Sequence, residues 1–168
     1  MMRLPFPRVI ISTMLSLVVV TVFLSSTSTA AEIGPSKGAP VIVGGGMKDP
    51  SILRRCLALA GDADATIVLI PTAGGGARYD QFWPGTLQFK EAGAKNLTVV
   101  QVTSRAEADS VEFGRPLQRA RGVYFGGGRQ WHLADSHLNT RTHKELIALL
   151  ERGGVGTIGR SMSAPVTT

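Results

Sequence analysis

Three runs of β-branched and aliphatic residues in this chain pass directly, or within a few residues, into glycine. They are Val41-Ile42-Val43-Gly44-Gly45-Gly46, Ile67-Val68-Leu69-Ile70-Pro71-Thr72-Ala73-Gly74-Gly75-Gly76 and Val123-Tyr124-Phe125-Gly126-Gly127-Gly128. A short apolar run without polar alternation fits a strand covered on both faces, which is the strand of a parallel sheet. Parallel strands end on the same side, and in an open α/β sheet the ligand crevice lies outside those carboxyl ends. Glycine at that point lets the backbone approach a ligand and turn its N–H groups toward it. The pattern therefore predicts three loops converging on one functional edge.

The intervening segments supply crossovers. Asp49-Pro50 sets a capping side chain before a proline at the first helical position, and Ile52, Leu53, Cys56, Leu57 and Ala60 form an apolar stripe that Gly61 ends. A second strand is expected over 66–70. Pro84 and Gly85 are expected to break the next segment, which resumes as a helix over 86–92 and stops at Gly93. A third strand is expected over 97–102, short helical or loop pieces over 106–109 and 116–121, and a fourth strand over 123–125. Thr142-His143-Lys144-Glu145 fits a capping box for a helix carrying Leu146, Ile147, Leu149 and Leu150, closed by Gly153-Gly154. A fifth strand begins at 155–158. This β-α-β alternation implies an α/β fold with a parallel sheet, right-handed crossovers and helices on both faces.

The first residues read differently. Arg3 and Arg8 precede an uncharged, largely apolar stretch over 9–24, and Ser28-Thr29-Ala30 fits a small-x-small cleavage site. Residues 1–31 are expected to be a secretory signal peptide, the one membrane-directed segment, so the product is expected to be secreted or periplasmic. Residues 38–168 are then expected to form the N-terminal part of a single α/β domain. The formal net charge of +6 becomes +4 without Arg3 and Arg8, and the remaining basic residues are scattered without interleaved aromatics. That distribution argues against a nucleic-acid partner. The single cysteine, Cys56, excludes an internal disulfide, and its place on an apolar stripe reads as a buried small hydrophobe. His132, His137, His143 and Cys56 show no metal-ligand spacing, so neither a metal nor another cofactor is expected.

Glycine-rich strand ends serve two chemistries. A dinucleotide fold needs a G-x-G-x-x-G turn and a later acidic residue for the ribose. Here Asp49 stands where the third glycine belongs, and Pro71-Thr72 follow the second strand. The other use is a nucleophile elbow, where a serine sits on a strand-to-helix turn and glycine-loop N–H groups hold the oxyanion. The segments Pro40-Val41-Ile42-Val43-Gly44-Gly45-Gly46, Ile70-Pro71-Thr72-Ala73, Gly93-Ala94, Gly122-Val123-Tyr124-Phe125-Gly126-Gly127-Gly128-Arg129-Gln130 and Glu151-Arg152-Gly153-Gly154-Val155 occur in one order and at one spacing. In this the chain resembles the S51 family of serine peptidases, in its cyanophycinase and dipeptidase E branch, from about Pro40 to Val155.

The resemblance implies a flavodoxin-like, class I glutamine amidotransferase-like sheet and a Ser-His-acid triad acting on a peptide-like substrate. It implies that Gly127 and Gly128 belong to the oxyanion loop and that Gln130 lines the substrate pocket. Arg129 stands where the family often has an acidic residue, which inverts a charge at the pocket edge. The serine of the family lies in a Gly-Thr-Ser-Ala-Gly-type turn after the fifth strand, and its place by spacing is taken here by Arg160. The chain offers Ser161 in Gly-x-Ser order and Ser163 in the Ser-Ala step, with Pro165 for the following glycine. Proline has a fixed φ and no N–H, which suits a helix start better than a strained elbow.

No ionisable side chain follows Ser163. The expectation is therefore a family member truncated at the elbow, with the C-terminal part of the fold missing and the triad incomplete. On that expectation Leu146, Ile147, Leu149 and Leu150 would present an apolar face and favour self-association. A non-catalytic exported protein that binds a ligand in the glycine-lined crevice is the alternative.

Overall fold

Strand β4 (Gly122–Phe125) lies at the centre of a five-stranded, wholly parallel sheet. In chain order the other strands are β1 (Ala39–Ile42), β2 (Thr66–Ile70), β3 (Asn96–Val99) and β5 (Val155–Ile158), and their order in space is β1-β5-β4-β2-β3. β4 is flanked by β2 with Val68 opposite Val123 and by β5 with Gly156 opposite Val123. The computed structural model describes residues 37–43 and 49–158, all within one compact unit. The segment 1–31, Gly44 to Gly46, Ser161 and Ser163 lie outside the described residues.

Side chains alternate across a strand, so β2 feeds two cores at once. Ile67 and Leu69 pack with Tyr124, with Leu53, Leu57 and Ala60 of helix α1 (Pro50–Ala60), and with Phe89 of helix α2 (Pro84–Glu91). Val68 and Ile70 point the other way. They meet Val123, Ala108 of α3 (Arg105–Ala108), Leu117 of α4 (Val111–Arg119) and Leu149 of α6 (Arg141–Glu151). Helix α5 (Gln130–His137) adds Leu133 to this second layer. The result is the expected α/β sandwich, a parallel sheet with helices on both faces. Among the described residues, no helix is long and apolar enough to cross a membrane.

Asp49 caps α1 by accepting from the Ser51 N–H at 2.8 Å, and Gly61 closes that helix at φ 111°. Several other boundaries depart from the sequence reading. Pro84 and Gly85 open α2 instead of breaking it, because a proline in the first turn gives up an N–H that has no helical acceptor there. Strand β3 stops at Val99. The Val100 N–H still donates to the Leu69 carbonyl at 2.9 Å, and Val100 and Val102 remain buried as the chain leaves the sheet. The pieces expected over 106–109 and 116–121 are parts of α3 and of a nine-residue α4 that accommodates Pro116.

The capping box lies elsewhere than expected. Thr140, not Thr142, caps α6 by accepting from the His143 N–H at 3.4 Å. Thr142 is drawn into the interface with α3, where its hydroxyl donates to the Ala108 carbonyl, and Glu145 instead accepts from Gln118 at 2.9 Å. A true capping box, Ser104 with Glu107, opens α3.

The apolar residues of α6 also divide, so they do not form one exposed face. Leu149 is 1 % exposed, Leu146 and Leu150 pack partly against the second core, and only Ile147 is open to solvent. Truncating Leu149 to alanine should therefore cost about 2–5 kcal/mol by urea unfolding. Ile147→Ala should stay within about 0.5 kcal/mol. Equal effects would mean that the α6 face is not partitioned in this way.

Candidate functional site at the carboxyl edge

The chain leaves β2 toward the α2 face and leaves both β3 and β4 toward the opposite face. Neighbouring strands whose connections part in this way open a crevice at their carboxyl ends. β2 has such a neighbour on each side, and two structures form there.

Between β2 and β4 the two loops are tied together. The Gly126 N–H donates to the Ile70 carbonyl at 2.9 Å, and the Arg129 N–H donates to the Ala73 carbonyl at 2.7 Å. Gly128 sits at φ 149°, and a Cβ there would collide with the same Ala73 carbonyl. Only glycine allows that approach. The N–H groups of Gly127 and Gly128 have no hydrogen-bond acceptor among the described residues.

Between β2 and β3 lies a cavity of about 310 Å³, lined by Thr72, Gly75, Gly76, Thr103, His132, Asp135 and Ser136. The three residues from α5 sit at spacings that place them on one helix face. The Gly75–Gly76 wall is held by side chains that sequence reasoning passed over. The Tyr79 hydroxyl accepts from the Gly76 N–H at 2.9 Å. The Gln101 amide takes the Tyr79 N–H at 3.0 Å and donates to the Gly76 carbonyl at 2.7 Å. Neither residue belongs to a motif, and they come together only because β2 and β3 are neighbours.

His137 anchors α5 from beneath. It is 5 % exposed, and its Nε2 lies 3.3 Å from the Thr72 hydroxyl, which itself donates to the Val102 carbonyl at 2.9 Å. With that hydroxyl proton engaged, Nε2 carries the imidazole proton and donates. Nδ1 is then a buried acceptor without a partner among the described residues. Burial, with a smaller push from His143, lowers the His137 pKa from 6.5 to about 4. The folded state therefore keeps His137 neutral over a range where the unfolded chain takes up a proton, and stability must fall as pH drops from 6.5 toward 4. The loss from this group is about 3 kcal/mol in full. Urea unfolding across that range should show the slope, and His137→Gln should flatten it. A parallel slope in both proteins would rule out His137 as its source.

Of the residues singled out in the sequence, Gly127 and Gly128 occupy the tied loop. Gln130 is the exposed first residue of α5 and does not line the β2–β3 cavity. Arg129 is exposed, with its guanidinium 5.7 Å from the centre of the Trp131 ring. Cys56 is buried and accepts from the Thr157 hydroxyl at 3.3 Å. Among the described residues no three His, Cys, Asp or Glu side chains gather to hold a metal.

Comparison with known proteins agrees with this architecture. The family model for Peptidase family S51 matches residues 41–168. A cyanophycinase of Geminocystis herdmanii (strain PCC 6308) is 29 % identical over 135 residues, which cover 75 % of this chain and 47 % of the relative. A cyanophycinase of Trichormus variabilis (strain ATCC 29413 / PCC 7937) is 31 % identical over 136 residues, covering 75 % and 43 %. The crystal structure of a peptidase from an acI-B1 Actinobacterium superposes with a TM-score of 0.60 at 25 % identity, over 74 % of this chain and 54 % of that one. The chain spans about half the length of these relatives. With the parallel sheet, the tied glycine loop and a family match over most of its length, the chain belongs to peptidase family S51.

Proposed function

We propose that this chain derives from a serine-type hydrolase of peptide or isopeptide bonds of the cyanophycinase kind, exported by residues 1–31, with Gly127 and Gly128 as its oxyanion loop. The observation that carries the reading is the pair of N–H groups at Gly127 and Gly128, which have no acceptor among the described residues and lie in a loop held by the Arg129–Ala73 and Gly126–Ile70 hydrogen bonds. Such preorganised donors are the element that acyl-transfer sites need for the charge that develops on the carbonyl oxygen. Ser161 or Ser163 is the nucleophile in this reading, and Gln130 contacts the substrate.

We further propose that these 168 residues do not turn over substrate by themselves. A serine nucleophile needs a base within hydrogen-bond reach. His137 is buried against Thr72, and the Nδ1 of His143 accepts from the Asn139 N–H at 3.2 Å at the start of α6. His132 lines the β2–β3 cavity.

Two measurements test the pair of statements. A fluorophosphonate probe should leave the purified chain unlabelled, whereas labelling abolished by Ser161→Ala or Ser163→Ala would refute the inactivity and identify the nucleophile. In NMR titrations a small peptide carboxylate, the product an oxyanion loop retains, should shift the Gly127 and Gly128 amides. Unmoved amides would remove the basis for the hydrolase reading.

A further inference from the structure

Three glycines at the carboxyl edge owe their identity to two aromatic rings. None of Gly74, Gly76 and Gly126 has a positive φ, so backbone conformation does not require glycine at these positions. Space does. A Cβ on Gly74 would strike the Tyr79 hydroxyl, and one on Gly76 would come within 2.9 Å of the same ring. On Gly126 it would lie 2.8 Å from Cζ2 of Trp83 and 3.3 Å from the Pro71 Cα. The loops after β2 and β4 are therefore seated on Tyr79 and Trp83.

Both rings are fixed from behind. The Trp83 N–H donates to the Asp80 carbonyl at 3.1 Å, and the Trp83 carbonyl accepts from the Thr86 N–H at 2.9 Å at the start of α2. Its indole meets Tyr79 edge-on, with centroids 5.5 Å apart, and lies 6.2 Å from the Tyr124 ring. Tyr124 in turn meets Phe89 at 5.1 Å, and Phe89 is fully buried. These are the centroid separations of attractive aromatic pairs, so a column of four rings rises from the α1–α2 core to the loops. Tyr79 is held further by the Gly76 N–H, which donates to its hydroxyl, and by its own N–H, which donates to Gln101.

The place of this column in the chain gives it a role. Gly126 immediately precedes Gly127 and Gly128, and Gly74 follows Ala73, whose carbonyl accepts from the Arg129 N–H. Glycine-rich segments have the widest conformational choice, whereas donors that hold a developing charge must be fixed beforehand. We propose that Trp83 and Tyr79 are positioning residues that set where the two loops lie, Trp83 through Gly126 and Tyr79 through Gly74 and Gly76. The catalytic purpose of that positioning rests on the reading of Gly127 and Gly128 as the oxyanion loop.

Native-state amide exchange, followed by NMR on the full 168-residue chain, tests this. Trp83→Phe keeps a ring against Tyr124 and removes the outer indole ring that closes on Gly126. It should speed exchange at Gly126 and Arg129 about tenfold relative to Arg121. The Arg121 N–H donates to the Thr66 carbonyl at 2.8 Å at the other end of the same strand pair, so it reports general loosening. Tyr79→Leu should do the same at Gly74, whose N–H donates to the Pro71 carbonyl at 2.9 Å. Gly126→Ala should disturb the Gly127 to Arg129 amides several-fold less in the Trp83→Phe background than alone, because the colliding ring atoms are gone. Equal acceleration at Arg121, unchanged exchange at the loop amides, or additive effects of the paired substitutions would overturn the proposal. N-acetylglycine separates it from the hydrolase reading. If the Gly127 and Gly128 amides of the parent chain ignore this carboxylate, that reading fails while the exchange comparison still decides the positioning. If they respond, Trp83→Phe should weaken binding several-fold, and unchanged affinity would overturn the catalytic purpose.

Discussion

The hydrogen bond from the Arg129 N–H to the Ala73 carbonyl governs the functional edge of this protein. It joins the loop after β4 to the loop after β2 just beyond the point where the two strands stop pairing. Because the Ala73 carbonyl also packs against the Cα of Gly128, the bond forms only with glycine at that position. The consequence is a loop tied at its base by main-chain atoms.

The link is rigid because β2 is among the most deeply buried elements in the molecule. Val68, Leu69 and Ile70 are all fully buried, and their alternation serves the α1–α2 core on one face and the α3–α4–α6 core on the other. A strand with two hydrophobic faces cannot rotate or slip without exposing one of them. The loop it feeds, from Pro71 to Gly76, is thereby fixed at its origin. The Tyr79 and Gln101 hydrogen bonds fix it again further out.

The sequence made the sheet legible because its signal is local. Continuous apolar runs ending in glycine identified β2 and β4, and Asp49-Pro50 with Gly61 delimited α1. The family resemblance, carried by the same motifs, is matched by the comparisons. The errors fell where tertiary contact outweighs local pattern. Thr142 looked like a cap and is instead claimed by the Ala108 carbonyl, while Pro84 looked like a break and begins a helix. The β2–β3 cavity gave no signal because its residues are dispersed from Thr72 to Ser136 and only strand order gathers them. The expected convergence of the second and third glycine clusters is present in the loops after β2 and β4.

The open margins of the sheet have a consequence of their own. Among the described residues β1 is bonded on one side only, by β5, and the Ala39 N–H points inward to the Gly154 carbonyl at 3.1 Å. Successive N–H groups of a strand point to opposite sides, so the next position, Pro40, would face outward, and proline has no N–H to offer there. A strand from a second chain approaching this margin meets a gap in the ladder of donors, even though Ile42 beside it is apolar and 78 % exposed. A single imino acid thus makes the margin a poor template for strand addition between molecules.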